Sequence, residues 1–176
     1  MITTYTLNQM VTLGRQRAGI TPLRTDCSIE AEDGIDVDRA LTARIRQWQL
    51  HALDTAPTEM LDVKDIADLC TSRRTLQGTT EITLPDDCRR VVAVQMASWR
   101  VAVAPISAAE ACASAVMLDN PYAAAAPIAI ARPGKLTVYP AEASVAAILA
   151  VMDTGPETIV CDERLLDTIE VSGIIP

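Results

Sequence analysis

The densest cluster of reactive side chains is Asp86, Asp87, Cys88, Arg89 and Arg90, inside "LPDDCRRVVAVQMASWRVAV". Two carboxylates, a thiol and two guanidiniums occupy five consecutive positions. Cys88 would act as a nucleophile if a base took its proton. The one imidazole of the chain, His51, lies far upstream on the flank of an expected helix. No local spacing joins the two, and general-base chemistry requires hydrogen-bond reach. A turn explains the same residues with fewer conditions. Pro85 opens it, Asp86 and Asp87 cap their own backbone, and Cys88 starts a valine-rich strand.

The remaining reactive residues form no site by spacing. The five cysteines, Cys27, Cys70, Cys88, Cys112 and Cys161, contain no C-x-x-C pair. With a single histidine, a zinc centre is not expected. Gly134-Lys135 lacks the rest of a phosphate-binding loop, because Leu136 stands where Ser or Thr is needed. Asp33, Asp36 and Asp38 lack the glycine and glutamate spacing of a calcium loop, and capping of a helix start accounts for them. Arg73-Arg74 and Arg89-Arg90 are isolated basic pairs beside acidic neighbours. We therefore expect no catalytic residue, no cofactor and no metal.

Bulk properties narrow the function classes. The chain has 176 residues, a net charge of −8, no Phe and 49% hydrophobic residues. Ala and Val fill the apolar quota, so each core residue buries little area, and subunit contacts would supply further burial. The acidity argues against gripping phosphate backbones, which takes clustered Lys and Arg. It does not exclude a place near DNA, since a negatively charged channel wall would let DNA slide without sticking. The odd cysteine count and the lack of a signal-peptide pattern fit reduced thiols in a cytoplasm-like compartment. No apolar run reaches the ~20 residues of a membrane span.

The elements that would position these residues follow from periodicity. Thr6 and Gln9 form a capping box for a helix over about 7–17. Residues 20–35 are turn-rich. Asp36 caps a second helix whose apolar face is Val37, Leu41, Ile45, Trp48 and Ala52, with Arg39 and Arg46 opposite and Pro57 as its stop. Residues 58–70 are ambiguous, and "TSRRTLQGTT" reads as a polar loop. From residue 80 the period becomes two. Ile82 and Leu84 mark one strand; Val92, Val94, Met96 and then Val101, Val103 mark a hairpin. Ile106–Leu118 reads as a helix capped by Ser107. Pro133-Gly134 sits in a type II turn between Ile128, Ile130 and Leu136, Val138. "SVAAILAV" is a buried strand, "CDERLLDTIEVSG" a short terminal helix, and "IIP" an apolar tail. The fold class expected is α+β, one domain over 1–176. Its helical part is about 6–70, its mostly antiparallel β-rich part about 79–160, and its C-terminal helix and tail about 161–176.

Three segments together resemble the head–tail adaptor (connector or ring) proteins of tailed bacteriophages, in their podovirus-like or crAss-like version. They are the helix ending at Ala56-Pro57, the strand start Leu84-Pro85-Asp86-Asp87 leading to Trp99, and the strand Gly134-Lys135-Leu136-Thr137-Val138-Tyr139-Pro140. The resemblance covers about residues 6–170, and the chain is short after Asp167 relative to that pattern. It implies a virion structural protein, not an enzyme. It implies a head-to-tail ring, dodecameric, assembled in the host cytoplasm and stacked under the portal protein. The ring would contact downstream tail or nozzle proteins, and DNA would pass through its channel without specific binding. Ile174, Ile175, Arg89, Arg90 and Trp99 are the candidate partner-interface residues. Three alternatives compete. The first is another tail or head completion protein. The second is a monomeric scaffold module. The third is a cysteine hydrolase using Cys88 or Cys112 with His51, which would need a depressed thiol pKa.

Overall fold

The computed structural model describes residues 1–19, 36–75, 78–107 and 127–169. The protein is α+β. It divides into two compact units, and the division does not follow the helical and β-rich stretches of the sequence. The first unit takes both ends of the chain, Met1–Asp62 and Asp153–Pro176; the second is Val63–Met152.

The first unit starts with strand β1 (Ile2–Thr6) running directly into helix α1 (Leu7–Arg17). The capping box forms as expected: Gln9 N–H donates to Thr6 Oγ1 (3.3 Å), and Thr6 N–H donates to Gln9 Oε1 (2.8 Å). Helix α2 (Val37–Thr55) begins at Asp36, whose carboxylate accepts from the N–H groups of Asp38 and Arg39. Val37, Leu41, Ile45, Ala52 and Leu53 are buried, with Leu41 and Ile45 fully enclosed. Each of the buried Val, Leu and Ile side chains stabilises the unit by roughly 1.5–3 kcal/mol on transfer. β1 pairs antiparallel with β10 (Thr158–Asp162), which leads into a single helical turn, Glu163–Leu166, capped by Asp162.

Two α2 positions depart from the periodic reading. Gln49 is buried (3% exposed), whereas Trp48 on the expected apolar face is only partly covered. Arg46, expected to face away, instead reaches the segment just before β10, at Asp153 and Gly155. Its guanidinium bonds both oxygens of Asp153 (2.9 and 2.5 Å), Gln49 Oε1 (2.8 Å) and Gly155 O (3.2 Å). Gln49 in turn donates to the carbonyls of Gly155 and Thr158, both at 3.2 Å. The chain crossing this face presents carbonyls, so a bonded amide and guanidinium fit there better than an apolar side chain.

The second unit is two sheets sharing one core. One has the order β3 (Thr71–Arg74), β4 (Thr80–Thr83), β8 (Lys135–Tyr139), β7 (Ile128–Arg132), β6 (Ile106–Ser107); the other is β2 (Val63–Asp65), β9 (Val145–Met152), β5 (Cys88–Met96). Ile82, Leu136, Val138 and Ala129 from the first sheet join Val94, Met96, Ile148 and Ala150 from the second, with Ile66 and Trp99. β7 and β8 are joined by Pro133 and Gly134, Gly134 supplying the positive φ (68°) that the turn demands.

Several expectations are corrected here. Residues 71–74, read as loop, form edge strand β3; all four of its side chains are exposed, so no apolar alternation marks it. β5 pairs along its length with β9 rather than with residues 101–103, which contribute one bridge, Val94 to Val103. The uninterrupted apolar β9 offers β5 a longer ladder, while Val101 stays 61% exposed. Ile106 and Ser107 form a strand parallel to β7, not a helix start; 108–118 lie outside the described residues. Cys161 and Asp162 end strand β10 rather than opening the terminal helix. β1 and β2 were not expected. The ambiguous 58–70 stretch resolves into two 3₁₀ turns, Thr58–Met60 and Ala67–Leu69, flanking β2.

Candidate functional site

The "LPDDC" segment is a turn. Cys88 N–H donates to Pro85 O (3.0 Å), and Leu84 N–H donates to Gly134 O (3.0 Å). The second bond sets this lip against the Pro133-Gly134 turn. Arg89 is exposed on β5 and Arg90 is half-buried beside it. Trp99, expected at a partner surface, is instead 6% exposed in the core of its unit, with its indole N–H buried and unbonded. Its backbone N–H bonds Met96 O and its carbonyl accepts from Gln95, so the turn after β5 folds the ring inward. Ile174, Ile175 and Cys112 lie outside the described residues.

The three described thiols, Cys70, Cys88 and Cys161, are displaced away from nucleophilic character. Burial pushes Cys88 up to about 11, helped by Cys70 and Asp87 nearby. Burial likewise raises Cys161 to about 11, with Asp162 adding to it, and raises Cys70. An activated cysteine needs the opposite, a thiolate favoured by positive surroundings. Cys88 and His51 belong to different units.

A groove of about 560 Å³ lies along α2 in the first unit. Arg44, Trp48, His51 and Thr55 line it together with Leu165 and Thr168 of the terminal turn. Trp48 Nε1 donates to Thr168 Oγ1 (2.9 Å), which itself donates to Leu165 O (2.7 Å). These bonds tie the indole to the terminal turn. A cation, an imidazole and an indole over small apolar residues suit binding of an extended or planar group. Helical spacing alone brought Arg44, Trp48, His51 and Thr55 to one side. The sequence reading placed Trp48 in a core face and so missed the groove.

A second polar cluster surrounds Asp162. The carboxylate accepts from the Met1 α-amino group (2.6 Å), from Arg164 Nε (2.8 Å) and from Arg164 N–H (3.0 Å). The bonds from Arg164 and the amine hold its pKa far below the ordinary carboxylate range. This is a clasp for the ends of β1 and β10.

The net charge is distributed unevenly. The first unit holds seven basic and fifteen acidic residues, the whole −8; the second holds eight of each. Among the described residues no group of three His, Cys, Asp or Glu is placed to hold a metal ion. No described helix is long and apolar enough to cross a membrane. Comparison with protein-family models, curated proteins and solved structures finds no match.

Proposed function

We propose that this chain is a virion structural subunit, one of a head-to-tail ring between portal and tail in a tailed phage. One observation carries the reading most directly. Two of the segments that resemble head–tail adaptors, Leu84–Asp87 and Gly134–Pro140, are far apart in sequence yet meet in space. β4 and β8 are hydrogen-bonded neighbours, and Leu84 N–H bonds Gly134 O. Motifs that share one structural corner are what a common fold would produce.

Other features support the same reading. The three described thiols are raised rather than activated, and among the described residues short strands on both units are paired on one side only. Closed rings need heterologous contacts, in which two different surfaces of one subunit meet. An acidic first unit and a neutral second unit favour that arrangement over contact between like units. In this reading DNA passes the ring without being gripped, and the portal and a downstream tail component stack on either side.

The test is the native mass of the purified chain, alone and mixed with the portal protein encoded by the same genome. A ring, twelve copies by the resemblance, or a portal-dependent complex is the expected result. A monomer that ignores the portal would refute the proposal.

A further inference from the structure

The registers of the two edge strands show which backbone groups face outward. In β1–β10 every opposed pair follows one register, Ile2 to Asp162 through Thr6 to Thr158, and Leu7 N–H bonds Glu157 O, which extends it. Leu7 therefore belongs to a hydrogen-bonded pair, and so do Tyr5 and Thr3, two and four residues earlier. Ile2, Thr4 and Thr6 point their N–H and C=O groups away from β10. Gln9 takes the Thr6 N–H through the capping box. Ile2 and Thr4 remain on an edge that no third strand pairs among the described residues.

The same reasoning applies to β3. Thr75 N–H bonds Thr79 O, in register with Arg73 to Glu81 and Thr71 to Thr83. Ser72 and Arg74 therefore present their backbone groups outward. No other strand pairs with this side among the described residues.

The other edges are blunted. The outer side of β10 takes a bridge from Leu61. β2 has three residues, two of them charged. β5 carries three register shifts, and β6 has two residues. β1 is regular, uncharged Ile-Thr-Thr-Tyr-Thr without Gly or Pro, the kind of edge that recruits a strand. Asp162, Glu163 and Glu157 flank it, Asp162 being paired with Arg164 and the Met1 α-amino group, in the unit that holds all the net charge. β3 carries exposed Arg73 and Arg74 in the neutral unit.

We propose that β1 of one copy pairs antiparallel with β3 of the next, Ile2 opposite Arg74 and Thr4 opposite Ser72. This is the one antiparallel register that pairs all the outward groups of both edges, closing four backbone hydrogen bonds. Thr3 and Arg73 then face each other as a non-hydrogen-bonded pair, with their Cβ atoms at the closer of the two spacings. The contact is heterologous and joins the net-acidic unit of one copy to the strand of the next that carries Arg73 and Arg74. It rests on the ring reading and assigns that ring's subunit interface.

The experiment uses the full chain. Thr3→Cys and Arg73→Cys variants are mixed, oxidised with diamide and mapped by mass spectrometry. The two new thiols together lose two hydrogens, and diamide is reduced to the hydrazine. A link between positions 3 and 73 of different copies is expected only in the mixture. Thr4→Pro removes an outward N–H while sparing the β10 ladder, so the melting temperature should hold and self-association should weaken at least about tenfold. A ring that tolerates Thr4→Pro and yields no 3–73 link would overturn this contact and leave the ring reading standing. A β1–β1 link would overturn it as well. A chain that stays monomeric with and without portal would sink both.

Discussion

Arg46 is the side chain whose loss should report most on the first unit. It ties the middle of α2 to Asp153 and Gly155, at 27% and 17% exposure for the paired side chains. Arg46→Met keeps the stem and removes three kinds of bond, leaving the Asp153 carboxylate without this guanidinium and the Gly155 carbonyl with one donor fewer. Hydrogen bonds to a charged group contribute about 1.5–3 kcal/mol, and breaking a fully buried pair costs about 3–5. The pair is partly solvated, so the lower range applies, about 2–3 kcal/mol. Asp153→Asn should cost less, about 1–2 kcal/mol, because the amide still accepts from Arg46. The double variant should cost less than the sum, with a coupling of about 1 kcal/mol. Urea denaturation followed by circular dichroism and by fluorescence of Trp48 in a Trp99→Phe background measures all three. A cost below about 0.5 kcal/mol for Arg46→Met, with no coupling, would show that the clasp is a surface ion pair of no consequence.

Two further predictions concern titration. Cys88 and Cys161 sit near 11 when folded, above their ordinary value, so folding favours the protonated thiols. Their contribution is fully present below the unfolded thiol pKa and is lost as pH rises towards 11. Iodoacetamide at pH 8 should label both far more slowly in the native protein than in urea; equal rates would refute the burial argument. Asp162 is displaced the other way. Its contribution is present above about pH 4, the unfolded carboxylate value, and is lost as pH falls towards the folded one. Asp162→Asn should flatten the acid limb of stability against pH, and an unchanged limb in a thermal melt series would count against the clasp.

Legibility in the sequence was uneven for physical reasons. Both helix starts could be read because a capping box and an Asx cap are local events, decided within four residues. The β7–β8 hairpin was equally legible, since Pro133-Gly134 has few alternatives. The "LPDDC" turn followed from its own side chains. β3 and β1 were not legible, because an edge strand with polar or alternating Thr residues carries no core signature. Their pairing energy lies in the backbone of partners distant in sequence. Trp99 was placed on a surface by resemblance; the turn after β5 buried it.

By itself the sequence determined the class of the fold, the caps, the two-residue turn and the excess of negative charge, all properties of short windows or of composition. Only the tertiary structure decided how that charge divides between two units, and that the chain's ends close the first of them around α2. It also decided that Arg46 turns inward, and which strands are left with one open edge. Each of these depends on pairs more than forty residues apart, such as Arg46 with Asp153 or Ile2 with Asp162. No local pattern encodes such a meeting, because the free energy that selects it is shared among all the contacts formed when the chain closes.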